Sequence, residues 1–381
     1  MRVALFTHSL ASDWNHGNAH FLRGLVTELV ARGHAVTAFE PEDAWSVANL
    51  VAEAGPAALE RTRTIYPALD IVRYRREGFD LDGALEGADL VIVHEWNDRA
   101  LVARIGGHRV AHGGYALLFH DTHHRSVSDP AQMATYDLSG YDGVLAFGRV
   151  IRDLYLRHRW ARRAWTLHEA ADVRLFAPRP APAPPRDLCW IGNWGDDERS
   201  RELDEFLIEP ARALGLDGTV HGVRYPDEAR RALGRTRLRY GGWLANFDVP
   251  AVFARHRVTV HVPRRHYVTA LPGIPTIRPF EALACAIPLV SAPWDDVERL
   301  FTPGEDYLVA RDGAEMKRHL RAILADGAYA ASLAAHGRRT ILMRHTCAHR
   351  ADELLAIARE LGVEVAPSLR RIQPTAIGAD A

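Results

Sequence analysis

The chain of 381 residues has few cysteines, almost no lysine and no long apolar run. Its three cysteines, Cys189, Cys285 and Cys347, are far apart and have no CxxC spacing, which excludes a disulfide framework and a cysteine metal centre. No apolar run approaches the roughly 20 residues that cross a bilayer, and MRVALFTHS is too brief for a signal peptide. We therefore expect a cytoplasmic protein. The sequence leaves peripheral membrane contact through tryptophan or arginine side chains open.

Lys317 is the only lysine, so arginine supplies almost all of the positive charge. The 47 basic side chains are balanced by 48 acidic ones, and the formal net charge is -1. Because no long basic run appears, we expect no nucleic-acid partner. A chain of this length, 48% hydrophobic and 25% charged, is typical of two soluble domains that each have a core.

Apolar strands and amphipathic helices alternate along the first half of the chain. Val3 to Phe6 is the first predicted strand, and a helix follows from about Asn18 to Arg32 with Asn18 as its cap. Further strands are predicted at 34–40, 70–74, 89–94, 116–120, 143–147 and 164–168. This α/β alternation predicts a doubly wound parallel sheet, in which ligands bind at the carboxyl ends of the strands.

Two of these strands end in ionisable residues. His94 and Glu95 end the strand VIVHEW, and the strand LLFHDTHHR ends in a cluster that includes His120, Asp121 and His124. Histidine and aspartate at this density could bind zinc, yet HDTHH lacks the helical HExxH spacing and would need ligands from elsewhere. A metal site and a ligand-handling loop are both open at this point.

The run PRPAPAPPR at 178–186 predicts an extended, stiff linker, which we place at 179–186. It separates an N-terminal domain at 1–178 from a second domain at 187–345. A C-terminal helix is expected over 346–366 and a loose tail over 367–381. In the second domain, Asn193, Arg224 and Arg264 each follow a predicted strand.

The segment LPGIPTIRPFEALACAIPLVSA, 271–292, combines a loop, a helix and a buried strand. Thr276 is a predicted N-cap, and Gly273 lies in the turn at the entrance. Free amides at the helix N-terminus would offer an anion site, where Arg278 could bind a phosphate and Glu281 a pair of hydroxyls. The alternative is a surface ion pair between Arg278 and Glu281, which are three residues apart.

RPFEALACAIPLVSA resembles the donor-binding segment of the group 1 type of GT-B glycosyltransferases. The arginine three residues before the glutamate, together with PGE at 303–305, is most similar to the branch related to spore-maturation glycosyltransferases. The resemblance implies two Rossmann-like domains that face a cleft, and a last helix that crosses back to the first domain. It places Glu281 on the ribose of a sugar nucleotide. Many retaining members carry another glutamate where this chain has Gly273.

The same resemblance assigns other residues. LFHD is similar to a strand end at which a histidine contacts the transferred sugar, so His120 and Asp121 are the implied catalytic pair. HGNAH resembles the turn that faces the donor phosphates, YGGW the turn that faces the base, and WTLHEAADVRLFAPRP the interdomain segment. The implied donor-binding residues are Gly273, Thr276, Arg278, Glu281, Asn193, Arg224, Tyr240, Gly242, Trp243 and Arg264. The implied cleft or acceptor-side residues are Gly17, Asn18, His94, Glu95 and His124.

The implied function is a hexosyltransferase-like enzyme that moves a sugar from a nucleoside diphosphate donor to an acceptor, with retention of configuration. It needs no cofactor and no metal, because arginine and helix-end amides stabilise the leaving diphosphate. The sequence does not identify the base, the sugar or the acceptor. The alternatives are a sugar-nucleotide epimerase or hydrolase of the same fold, and a binding protein that has lost turnover.

Overall fold

The computed structural model describes residues 1–180, 184–195 and 198–365. The first domain contains a seven-stranded sheet of order β3-β2-β1-β4-β5-β6-β7, in which every neighbouring pair is parallel. Its strands are β1 (Arg2–Phe6), β2 (Ala35–Pro41), β3 (Asp70–Tyr74), β4 (Leu90–His94), β5 (Ala116–Asp121), β6 (Gly143–Ala146) and β7 (Ala164–Thr166). Its helices are α1 (Ala19–Ala31), α2 (Trp45–Ala54), α3 (Ala57–Ile65), α4 (Leu81–Leu85), α5 (Arg99–His112), α6 (Arg125–Ser128), α7 (Pro130–Met133) and α8 (Arg149–Arg157).

Helices cover both faces of this sheet, and its central strands are therefore buried at every position. Phe21 and Leu25 of α1 pack on one face. Val102 of α5 and Ile151 of α8 pack on the other.

The second domain repeats the architecture with a six-stranded parallel sheet of order β10-β9-β8-β11-β12-β13. Its strands are β8 (Arg186–Ile191), β9 (Asp217–His221), β10 (Arg237–Tyr240), β11 (His256–His261), β12 (Leu289–Ser291) and β13 (Leu308–Val309). Its helices are α9 (Ser200–Leu203), α10 (Glu209–Leu214), α11 (Asp227–Leu233), α12 (Val249–Phe253), α13 (Arg265–Thr269), α14 (Ile277–Ala284), α15 (Gly313–Ala325) and α16 (Gly327–Arg344). A π-helical turn, Asp204–Ile208, joins α9 to α10, and a 3-10 turn, Asn246–Asp248, precedes α12.

The last helix, α17 (Cys347–Glu360), begins with a capping box at Thr346 and returns to the first domain. Leu354 and Leu355 join the core that contains α1. The two helices approach so closely at Gly24 that a Cβ there would lie 2.6 Å from Cys347 Sγ. The prediction that the final helix crosses back is confirmed.

Three predicted segments differ in extent or lie partly outside the described residues. The C-terminal helix, predicted over 346–366, spans Cys347–Glu360. Residues 181–183 of the predicted linker and the predicted tail at 367–381 lie outside the described residues, so the domain boundaries stay predictions. None of the described helices has both the length and the apolar character needed to cross a bilayer.

Hydrogen bonds join the two domains on one side of the cleft. The carboxylate of Asp13 accepts from the backbone N–H of Asn246 at 3.0 Å. Arg61 donates two hydrogen bonds to Asp248, at 2.9 and 2.7 Å. These bonds tie the first domain to the 3-10 turn of the second domain.

Candidate functional site

A cavity of about 890 Å³ lies between the domains, where the carboxyl ends of both parallel sheets face each other. The first domain lines it with residues that follow β1, β2, β4, β5, β6 and β7. The second domain lines it with the loops after β8 to β11 and the start of α14. This is the position at which doubly wound sheets bind ligands.

Every arginine that lines the cavity, within the described chain, comes from the second domain. These are Arg199, Arg224, Arg264 and Arg278. Arg199 was missed by sequence reasoning, and its buried guanidinium holds the wall in place. It donates to the backbone oxygens of Val262 at 2.7 Å and Trp194 at 3.3 Å. Burial lowers the pKa of Arg199 to about 10, so this side chain stays charged at neutral pH.

The N-terminus of α14 is part of this positive wall. The first-turn amides of a helix have no intrahelical acceptor, and no acidic side chain stands in the first turn of α14. Arg278 forms an ion pair with Glu281, and its Nε is buried without a hydrogen-bond partner among the described residues. The helix end and Arg278 together suit an anion.

Thr276 lies at the N-cap of α14, but its side chain makes no capping hydrogen bond. Its φ of 62° and ψ of -177° belong to a region that is strained for any residue except glycine. The predicted role as a side-chain cap is therefore wrong. Thr276 lines the cavity instead, with a strained backbone.

Glu281 lies behind the wall, because its side chain is 1% exposed and is not among the described cavity-lining residues. His20 of α1 bonds its Oε1 at 2.8 Å, and Arg278 bonds its Oε2. The backbone N–H of Asp172 donates to His20 Nε2 at 2.9 Å, which leaves the hydrogen of a neutral imidazole on Nδ1, facing Glu281. Phe176 stacks on His20 at 3.7 Å. Glu281 thus joins the two domains, and its predicted direct contact with ribose is not what this geometry shows.

Gly273 also lies outside the cavity lining. Its φ is +89°, and a Cβ at this position would lie 2.7 Å from Cγ of Glu298. A glutamate here would therefore have a strained backbone and would displace the Glu298 side chain. The predicted donor contact of Gly273 is corrected to a tight turn against Glu298.

One of the three residues of the predicted base-facing turn lies at the cavity. Trp243 lines the cavity, and its Nε1 is buried without a partner in the described chain. Tyr240 turns away, donating from its hydroxyl to the backbone oxygen of Gly222 at 2.8 Å. Gly242 adopts a φ of +69°, and its carbonyl accepts from the N–H of Gly222 at 2.9 Å. Tyr240 and Gly242 therefore position the turn without contacting the cavity.

His120 and Asp121 do not reach the cavity. Successive side chains of β5 point to opposite faces of the sheet. His120 is buried beside Phe21 and His94, at ring distances of 6.2 and 5.4 Å, and burial lowers its pKa to about 4. Asp121 accepts from the Tyr155 hydroxyl at 2.8 Å, and burial together with the Glu95 charge raises its pKa to about 8. Their predicted catalytic roles are wrong in this geometry, because both side chains sit inside the helix layers.

His94 and Glu95 hold the loop after β5. His94 Nε2 and Thr122 Oγ1 are 3.0 Å apart. The Glu95 carboxylate accepts from the Thr122 N–H at 3.0 Å and pairs with Arg125. Asn18 does not cap α1 with its side chain and bonds Thr122 as well. His94 and Glu95 are thus supports of the cavity floor.

Four other predicted residues do line the cavity, namely Gly17, Asn18, His124 and Asn193, in addition to the residues of the positive wall. A Cβ at Gly17 would lie 3.4 Å from Cγ2 of Ile277, so the turn after β1 faces the start of α14. Asn193 Oδ1 accepts from the N–H of Val223 at 2.9 Å, which ties two loops of the second domain together.

His124, Glu198 and His266 form the group in the described chain that could hold a metal ion, with ligand atoms within 4.8 Å of one another. Both histidine Nε2 atoms lie 3.9 Å from Glu198 Oε1. Arg264 lies 3.4 Å from Glu198 Oε2, so a guanidinium already balances the carboxylate and would repel a cation. That the enzyme uses no metal stays a prediction.

Sequence reasoning missed several first-domain residues of the wall. They are His8, Asp13 and Trp14 after β1, Trp45 after β2, Trp96 after β4 and Glu169 after β7. A usable signal existed, because each lies beyond the carboxyl end of a predicted strand.

Glu169 is a buried carboxyl on the cavity wall, and its Oε2 has no partner in the described chain. Burial and the nearby Glu281 charge raise its pKa well above the usual value. The folded protein therefore keeps a proton that the unfolded chain releases above the ordinary carboxyl pKa, so this group lowers stability as pH rises between the two values.

Replacing Glu169 with glutamine should remove this pH-dependent cost. The free energy of unfolding of Glu169→Gln, relative to the unmodified protein, should rise with pH by up to about 1.4 kcal/mol per pH unit above the ordinary carboxyl pKa. Urea unfolding at a series of pH values measures the difference. Glu77→Gln, a change at an exposed carboxylate, is the matched control. A difference that does not change with pH would show that Glu169 is ionised in the folded protein.

Comparison with known proteins agrees with this geometry. Residues 199–356 match a family described as glycosyl transferase-like. A sucrose-phosphate synthase from Thermosynechococcus elongatus has 18% identity and a TM-score of 0.66, over 95% of this chain and 99% of that chain. The Anabaena protein HepE in complex with UDP has 12% identity and a TM-score of 0.66, over 94% and 100%. An α-glucosyltransferase in complex with UDP and DNA has 10% identity and a TM-score of 0.67, over 94% and 99%.

The chain has the GT-B fold. The predicted fold class, two Rossmann-like domains that face a cleft, is therefore confirmed. The family match across the second domain also confirms the predicted enzyme class, a glycosyltransferase. A search of curated proteins found no match. The GT-B cleft of this chain is the cavity described above.

Proposed function

We propose that the protein transfers a hexosyl group from a nucleoside diphosphate sugar to an acceptor hydroxyl, without a metal ion or cofactor. The observation that carries the proposal is the division of the cavity into a positive second-domain wall and a polar, uncharged first-domain wall. A diphosphate fits the first, and a sugar with its acceptor fits the space between them.

The diphosphate would lie at the N-terminus of α14, beside Arg278 and Arg264. Charge that develops on the leaving diphosphate is stabilised by guanidinium groups and helix-end amides that are already in place. Trp243 would contact the base. Glu281 acts through Arg278, which it orients from behind the wall.

The transferred sugar would meet Glu169. A carboxyl that keeps its proton can donate a hydrogen bond to a sugar hydroxyl and adds no negative charge near the diphosphate. Retention of configuration and the spore-maturation branch are part of the proposal and rest on the sequence motifs. A cytoplasmic location is also part of it and rests on the cysteine content and the apolar pattern of the sequence.

UDP is the first nucleotide to test, since HepE and the α-glucosyltransferase were each solved with UDP. In a thermal-shift screen of UDP, GDP, ADP and dTDP and their glucose conjugates, one nucleotide should raise the melting temperature by a few degrees. We expect the same shift, and full turnover of the sugar conjugate, in protein treated with EDTA.

His266→Ala is the matched variant for the metal question, because it removes one member of the His124, Glu198 and His266 group. Activity that disappears with EDTA, returns with zinc or manganese, and is absent in His266→Ala would overturn the metal-free proposal. Incubation with the sugar nucleotide alone separates the alternatives. Conversion of its sugar without an acceptor would favour an epimerase or hydrolase, and binding without turnover under any condition would favour a binding protein.

A further inference from the structure

We propose that the first-domain wall of the cavity is an acceptor site for an uncharged saccharide. This inference rests on the proposed function, because it names the class of acceptor for the same reaction. Three independent features of the wall carry it: its lack of cationic charge, its tryptophan rings and its unpartnered hydrogen-bonding atoms.

The wall carries almost no net charge. Within the described chain, no arginine or lysine of the first domain lines the cavity. The carboxylate of Asp13 pairs with Arg23 at 2.9 Å, behind the wall. Burial lowers the pKa of His8 to about 3 and that of His16 well below the usual value, so both rings are neutral at physiological pH. Such a wall offers no attraction to phosphate or carboxylate groups, in contrast to the arginine wall that faces it.

Trp14, Trp45 and Trp96 supply flat apolar surface on the same wall. Trp45 is the most open of them, 40% exposed, and His8 backs one side of its ring at 5.4 Å with an interplanar angle of 11°. The Trp14 and Trp45 rings pack edge to face, with centroids 6.1 Å apart and an interplanar angle of 77°. A pyranose ring presents C–H groups on its faces and hydroxyls around its rim, and an open indole with polar neighbours complements both.

The hydrogen-bonding capacity of the wall is also unfilled. His8 and His16 are 4% and 6% exposed, and all four ring nitrogens lack a partner in the described chain. Oδ1 of Asp13 is buried without a partner as well. A neutral imidazole has one donor and one acceptor, which is the same pair that a hydroxyl offers. Because unpaired buried polar atoms are costly, a ligand rich in hydroxyls would satisfy this wall better than an apolar one.

These features disfavour the other acceptor classes. A nucleic acid needs cationic contacts to its phosphates, and the first-domain wall supplies none within the described chain. A purely apolar acceptor would bury the five unpaired atoms against hydrocarbon. An uncharged saccharide can pack its C–H groups on the tryptophan rings and bond its hydroxyls to the unpaired polar atoms.

The test is a titration with the methyl glycosides of glucose, galactose, mannose, N-acetylglucosamine and rhamnose, followed by tryptophan fluorescence and calorimetry. It is done with and without the nucleotide found in the donor screen. At least one glycoside should bind, and Trp45→Ala should weaken it about tenfold or more, while Trp45→Phe keeps most of the affinity because it keeps a ring. Nucleotide affinity should not change in either variant.

Trp243→Ala, in the second domain, should give the reverse pattern, with weaker nucleotide binding and unchanged glycoside binding. Three results would overturn the inference: no glycoside binding to protein that binds nucleotide, equal glycoside affinity in Trp45→Ala, or preferential binding of glucuronic acid or a short DNA duplex. Failure of the proposed function gives a different result, since glycosides would bind although no nucleotide does.

Discussion

Replacing Arg278 with alanine should lower affinity for the donor nucleotide at least about tenfold and kcat/KM by about 10²–10³-fold. The side chain lines the cavity at the N-terminus of α14, and its Nε is buried without a partner in the described chain, so its guanidinium has capacity for a phosphate. Charge on the leaving diphosphate grows in the transition state. Turnover should therefore fall more than ground-state binding.

Isothermal titration with the nucleotide and steady-state kinetics with its sugar conjugate measure the two effects of Arg278→Ala. Arg311→Ala is the matched control. Arg311 also pairs with a glutamate on a helix, Glu315, but its side chain is 81% exposed and lies away from the cavity lining. Normal turnover in Arg278→Ala would place the diphosphate elsewhere on the wall.

Most of the fold could be predicted from the sequence, because its strongest signals are local. The strands β4 and β5 are continuous apolar runs, typical of strands buried on both faces, and their positions were predicted to within one residue. The return of α17 to the first domain followed from the resemblance. It depends physically on contacts between residues as far apart as Gly24 and Cys347, which no local pattern contains.

The position of His120 shows where the site prediction failed. A residue at the end of a strand was assigned to the ligand, although the alternation of side chains along β5 already placed His120 on the same face as Leu118, toward α1. The cavity is lined by the residues that follow the strand, Thr122, His123 and His124. The strand ends correctly indicate the edge of the sheet at which the cavity lies. The side chains that line the cavity come from the loop that follows each strand.

Glu169 and Trp45 could not be joined to the site by spacing, since they follow different strands. Only the order of the strands in the sheet brings them to one cavity. The pairing of Glu281 with His20 is equally hidden, because the two residues belong to different domains. Glu281 matches a donor-binding motif, yet in this structure its carboxylate is hydrogen-bonded by His20 and Arg278 of the same chain.

Glu281→Ala should lower the free energy of unfolding by about 3–5 kcal/mol, the usual cost of removing one partner from a buried charge pair. The change leaves the Arg278 guanidinium and the His20 Nδ1–H without the acceptor that they share. The Glu281 side chain is only 1% exposed, so water cannot readily replace it. Urea unfolding followed by tryptophan fluorescence measures the loss. A small loss, comparable with that of an exposed ion pair, would show that the contact with His20 is not formed in solution.

His20→Ala separates the two roles of Glu281, since it breaks the contact between the domains and leaves the pair with Arg278 intact. We expect His20→Ala to lose stability with little loss of nucleotide affinity. Glu281→Ala should lose both, because Arg278 is no longer oriented.

The ratio of affinities for the ribonucleotide and its 2′-deoxy analogue should be the same in Glu281→Ala as in the unmodified protein, because the carboxylate acts from behind the wall. If the preference for the ribonucleotide disappears in Glu281→Ala alone, the carboxylate must reach the ribose, and the motif-based assignment is the correct one.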